Sequence, residues 1–204
     1  GGVLFLPIGG LLADLNWRFA FFTYLPALLI SILGLFFIFE PKEITLSKDS
    51  FKSSRLSLNG TMVYIFLAVF LFQFSFLTLP IYSAQFFHSI VIISSVQVGL
   101  VGALSAFFSF FGGLSYDQIR KRTSFRGTNI ISILFCGSGF FLLSLAESWF
   151  LLILSQIIIG FWGAVVLANL STWLANQASF QVRGRANGII VTMMFIGHIL
   201  TSLI

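Results

Sequence analysis

The chain has 204 residues, 58% of them hydrophobic and 8% charged, with a formal charge of +5. A water-soluble domain carries about 25% charged residues, so this composition excludes an ordinary soluble fold. The apolar runs are continuous over about 20 residues rather than alternating, which points to an all-α polytopic membrane protein and away from a transmembrane barrel.

In chain order, a first short apolar run extends from Gly1 to about Leu15 and ends at Asp14 and Asn16-Trp17-Arg18. A second runs from about Phe19 to Phe39, and a polar stretch from Glu40 to Gly60 follows it. The third spans about Thr61 to Phe87, where Pro80 is expected to bend a helix because it cannot donate to the carbonyl of Phe76. The fourth spans about Ser94 to Tyr116 and runs into a basic loop. The fifth covers about Thr128 to Ala146, the sixth about Phe150 to Leu174, and the seventh begins near Ala186. The first and last runs are expected to be incomplete, with further helices missing at both ends.

The cations fall on one side. Ten of the eleven Lys and Arg lie after the second, fourth and sixth runs, and Arg18 alone lies on the other side. This asymmetry places the cation-rich side in the cytoplasm of a cell membrane, expected to be a bacterial inner membrane. It also accounts for the net charge without a nucleic-acid partner. The six acids all stand at run ends or in loops, so no carboxylate proton relay is expected within these spans. The lone Cys136 excludes a disulfide or zinc framework. No cluster of His, Asp, Glu or Cys and no Gly-Lys-Ser/Thr loop is present. No catalytic residue, metal or cofactor is therefore expected.

Three stretches together resemble the major facilitator superfamily. Pro7-Ile8-Gly9-Gly10 through Trp17-Arg18-Phe19 is similar to the end of that family's fifth helix, where a Gly-Pro-x-x-Gly-Gly antiporter motif precedes a Trp-Arg pair. Here one residue separates proline from the glycine pair, and Leu6 stands where the preceding glycine would be. Gly113 to Arg122 resembles the second-half copy of the Gly-x-Leu-Ala-Asp-Arg-x-Gly-Arg-Arg loop motif, with Gly113, Asp117, Lys121 and Arg122 in register. Ser115, Gln118 and Arg120 depart from it. Arg183-Gly184-Arg185-Ala186-Asn187-Gly188 resembles the basic start of the eleventh helix. The resemblance implies a partial helical bundle with about seven segments of twelve. Residues 1–39 would end the N-terminal six-helix half, 40–60 would be the cytoplasmic linker, and 61–204 would form most of the C-terminal half.

The resemblance also implies roles. Asp117 with Lys121 and Arg122 would act as a conformational latch, its carboxylate pairing with Arg183 or Arg185 or resting at a helix N-terminus. An ordinary positive-inside loop is the plainer alternative. Pro7, Gly9 and Gly10 would pack the two halves, although small residues pack in any membrane bundle. Polar residues inside spans are the best guide to a substrate path. Gln73, Gln156 and Asn169 are thus the cavity candidates, against interhelical hydrogen bonding. Ser105, Ser109 and Gly112 share one helical face. His198 is a candidate to carry a coupling proton, since histidine is the side chain suited to proton exchange near neutral pH, although a neutral histidine bonded to a neighbour is the commoner case. The expected function is secondary transport by alternating access, with proton-coupled efflux of drugs or other small amphipathic compounds ahead of metabolite or sugar uptake by symport.

Overall fold

The computed structural model describes residues 2–37, 58–90 and 94–203. The linker expected over 40–60 lies outside the described residues apart from its last three. Every regular element among them is helical: α1 (Gly2–Leu15), a 3-10 segment (Trp17–Tyr24) leading into α2 (Leu25–Phe37), α3 (Gly60–Ile90), α4 (Ser95–Arg122), α5 (Phe125–Ser144), α6 (Trp149–Gln177), a 3-10 turn (Phe180–Val182) and α7 (Arg183–Thr201). All seven apolar runs are therefore helical over most of their described residues. Five stretches are long and apolar enough to cross a bilayer: Trp17–Phe37, Gly60–Tyr82, Ser95–Arg122, Phe125–Ser144 and Trp149–Gln177. The chain is a multi-pass membrane protein.

Local chemistry sets the helix ends. Ser94 caps α4 in a reciprocal box: its hydroxyl accepts from the Gln97 N–H at 3.4 Å, and the Gln97 side chain accepts from the Ser94 N–H at 2.9 Å. Ser124 caps α5 by accepting from the Gly127 N–H at 3.1 Å, and Ser148 caps α6. The second run is not one continuous α-helix, and Pro26 gives the reason. Lacking an N–H, it cannot bond the Phe22 carbonyl in α-helical fashion. The Leu25 N–H takes that carbonyl instead, in a tighter 3-10 turn.

The expected basic loop is also corrected. Helix α4 does not stop at Tyr116 but continues through Asp117 to Arg122, so only Thr123 and Ser124 connect it to α5. Gln, Arg and Lys are good helix formers, and Arg120, Lys121 and Arg122 in the last turn complement the negative end of the helix dipole. Likewise α7 begins at Arg183, three residues before the expected start.

Helix α6 is the hub, packed by α4 and α5 along its length and by α3 and α7 more locally. Helix α3 pairs with α7, and α1 lies along the far side of α4. Apolar faces gain nothing by leaving lipid, so close backbone contact between small residues holds such helices together. A Cβ added to Gly112 would strike the Phe161 carbonyl oxygen, and one added to Gly160 would strike that of Ser105. These two contacts allow α4 and α6 to cross backbone to backbone. One buried core joins Met62, Ile65 and Val69 of α3 to Val166, Leu170 and Leu174 of α6 and to Ala186 and Ile190 of α7. A second joins Phe87, Val101, Cys136, Leu152 and Ile159 near the opposite end. Side chains such as Phe110, Leu134, Phe141 and Phe150 point outward, as a lipid-facing surface requires.

Candidate functional site

Helix α1 and α4 run antiparallel along a seam built from small residues. Gly2 faces Ala106, where an added Cβ would stand 3.0 Å from the alanine Cβ. A Cβ on Gly99 would lie 2.5 Å from the Leu6 carbonyl oxygen, and one on Gly10 would lie 2.5 Å from that of Ser95. Both glycines are thus required by the approach of the two backbones. At the end of the seam, Asp14 reaches the exposed first turn of α4. Its Oδ1 accepts from the Ser95 N–H at 3.0 Å and its Oδ2 from the Val96 N–H at 3.4 Å. This carboxylate is exposed at the chain's turn, beyond the membrane-crossing stretches. The Ser95 hydroxyl, helped by the two backbone N–H groups and opposed by desolvation, holds its carboxyl below the ordinary value of 3.8.

Beside the seam opens a cavity of about 760 Å³, walled by α1, the 3-10 segment, α3, α4 and α6. That volume lies within the range of small-molecule sites. The walls are mainly apolar and aromatic, including Phe5, Phe21, Phe76 and Phe87. The polar side chains are those of Thr23, Tyr24, Ser95, Ser105, Ser109 and Gln156, and no charged side chain lines it. Ser109 ties two walls together, because its hydroxyl lies 2.9 Å from both the Ser105 and the Gly160 carbonyl oxygens. Gln156 is 1% exposed, and its Nε2 has no hydrogen-bond partner.

Of the three cavity candidates from the sequence, the structure brings Gln156 to this wall and leaves the other two elsewhere. Gln73 is buried between α3 and α7, next to Gly197. Asn169 is fully buried, and its Nδ2 donates to the Phe125 carbonyl at 3.0 Å, joining α6 to the start of α5. Pro7 and Gly10 lie along the α1–α4 seam, Gly9 faces Thr23 of the 3-10 segment, and Gly9 and Gly10 also line the cavity. His198 is half-buried near the end of α7, edge-on to Phe195 with 5.7 Å between ring centres.

The latch candidates are not gathered. Gly113, Asp117, Lys121 and Arg122 are exposed on the last turns of α4, and Arg183 and Arg185 are exposed on the first turn of α7. The Arg183 Nε donates to the Ala178 carbonyl at 3.2 Å. Among the described residues no ion pair joins Asp117 to Arg183. Arg120 turns inward instead. Its guanidinium sits 3.6 Å from the centre of the Phe125 ring, which stacks on Trp173 at 5.8 Å and 7°. Tyr64 lies against Trp173 and accepts from the Asn129 Nδ2 at 2.7 Å. Sequence reading missed both Asp14 and Arg120. Asp14 bonds residues 81 and 82 positions away, a pairing with no local signature. Arg120 occupied a slot where the loop motif has glycine.

With this geometry in hand, the class is a helical membrane protein whose seam and cavity lie between packed helices. The family model of the Major Facilitator Superfamily matches residues 1–202. The chain belongs to that superfamily of membrane transporters. Comparison with curated proteins finds no match.

Proposed function

We propose that the protein exports small amphipathic compounds in exchange for protons. It works by alternating access between two six-helix halves, with the cation-rich side in the cytoplasm. In this reading α1 and α2 end the first half, α3 to α7 belong to the second, and the α1–α4 seam is where the halves meet. The observation that carries the reading is the cavity beside that seam. It is roomy, rich in aromatic side chains, free of charged side chains from this chain, and bounded by helices of both expected halves. The seam suits a reversible contact, since glycine packing and an exposed carboxylate release without stranding a buried charge. His198 is the proposed proton carrier within these helices, and Asp117 with the basic residues beside it is the proposed latch on the cytoplasmic side.

The test uses the intact protein in inverted vesicles with an imposed proton gradient, acid inside. Lipophilic cations and neutral amphiphiles are added while internal pH is followed. Substrate-dependent loss of luminal protons is the expected result. A panel that moves no protons, together with gradient-driven movement of a polar solute in the same direction as the proton, would replace export by the uptake reading.

A further inference from the structure

We infer that Gln156 and Ser105 form the polar recognition element of the cavity, and that they select an uncharged amphiphile presenting a carbonyl-type acceptor. The inference rests on the substrate-cavity reading above and narrows its ligand. The polar groups on the walls can be taken in turn. Ser95 is exposed at the end of the seam, where its N–H binds Asp14. The Thr23 hydroxyl donates to the Ala20 carbonyl at 2.7 Å. The Ser109 hydroxyl is committed to the α4–α6 crossing. Tyr24 is 71% exposed, at the rim. Ser105 and Gln156 remain, and both are more than nine-tenths buried.

Both belong to the same cavity wall. Gly160 packs against the Ser105 backbone, and Gln156 lies four residues earlier on the same face of α6. The Gln156 Nε2 is a donor without an acceptor. Leaving such a group buried is costly, and a ligand carbonyl that displaces the wall side chains covering it would recover the loss. The rest of the wall offers ring faces and aliphatic surface to the ligand's body. An ion would enter without a counter-charge from this chain, at the cost of its own hydration. Size is not the discriminating feature here; the single unmatched amide is.

The test is equilibrium binding to the intact protein in detergent, with no gradient. Tritiated 2-acetylnaphthalene is displaced by 2-ethylnaphthalene, which has the same shape without the acceptor, and by a naphthylmethyl trimethylammonium cation. The ketone is expected to bind about fivefold to tenfold more tightly than either, as one recovered hydrogen bond predicts. Gln156→Leu should abolish that preference and leave 2-ethylnaphthalene binding intact. Gln156→Met serves the same purpose if the leucine variant fails to fold. No ketone preference in the unaltered protein, which is what a trapped water on the amide would give, overturns the inference. So does a preference that survives both substitutions, or tighter binding of the cation. Proton-coupled transport of the cation in vesicles, without a ketone preference, would remove this inference and leave the export reading standing.

Discussion

At its Ser95 end, α4 meets α1 through an exposed carboxylate and interlocking glycines. At its Arg122 end, its Arg120 lies on the Phe125 ring of α5, which stacks on the buried Trp173 of α6 beside the Asn169 amide that ties α6 to α5. The first set of contacts is shallow: two hydrogen bonds to a solvated carboxylate, and backbone contact that buries little side-chain bulk. The second is deep. Arg120, Phe125 and Trp173 form a stack, and Asn129 and Asn169 are fully buried within hydrogen-bond reach of other helices. Loosening the first costs few buried polar contacts, whereas loosening the second would strand several. The contrast suits a seam that opens and closes against a block of helices that moves as one.

The most severe way to break the block is at the α4–α6 crossing. Gly160→Val would drive a side chain into the Ser105 carbonyl. It should cost more than about 3 kcal/mol and lower Tm by roughly 6–12 °C, read by thermal unfolding of the purified protein. Next in size is Phe125→Ala, which removes the ring between Arg120 and Trp173. A loss of about 2 kcal/mol is expected. Arg120→Gln should lose less, because the Phe125–Trp173 stack remains.

The seam should respond differently. Asp14→Ala should leave Tm nearly unchanged yet speed alkylation of a cysteine placed at Ala13, which lines the cavity beside it. Because the Asp14 carboxyl is held below 3.8, its contact is complete at neutral pH. It is lost only as pH falls through that lowered value. The ratio of alkylation rates with and without Asp14→Ala, both measured on the cysteine at position 13, should therefore stay constant from pH 8 to about 5, because the thiol's own ionisation is common to both. A change in that ratio within the interval would mean that some other group controls the seam. An effect of the opposite sign is expected at Gly113, where an added Cβ meets nothing within 4 Å. Gly113→Ala should stabilise by up to about 1 kcal/mol through helix propensity. A clear loss of transport in that variant, with Tm raised, would favour a latch role for this end of α4.

Much of the architecture was legible beforehand. Continuous apolar runs mark helices whatever they pack against, since lipid leaves the backbone no other way to satisfy its hydrogen bonds. The motif glycines were likewise visible along the chain. Positions that depend on a neighbour were not. Gln73, Gln156 and Asn169 are the same kind of signal in sequence, a polar side chain in an apolar run. One of them lines the cavity, one packs beside α7, and one bonds the Phe125 carbonyl. Which face of its helix each occupies, and which helix lies opposite, decides the outcome.

The sequence by itself determined a polytopic helical membrane protein, the order of its segments and its resemblance to a transporter family, because hydropathy, charge bias and short motifs are properties of the chain alone. Only the tertiary structure decided that α4 stays helical to Arg122, that Arg120 is drawn into an aromatic stack, and that Asp14 reaches Ser95. Those outcomes turn on a ring, an N–H or a carbonyl supplied from elsewhere in the fold, and hydrogen bonds and ring contacts act only over a few ångströms.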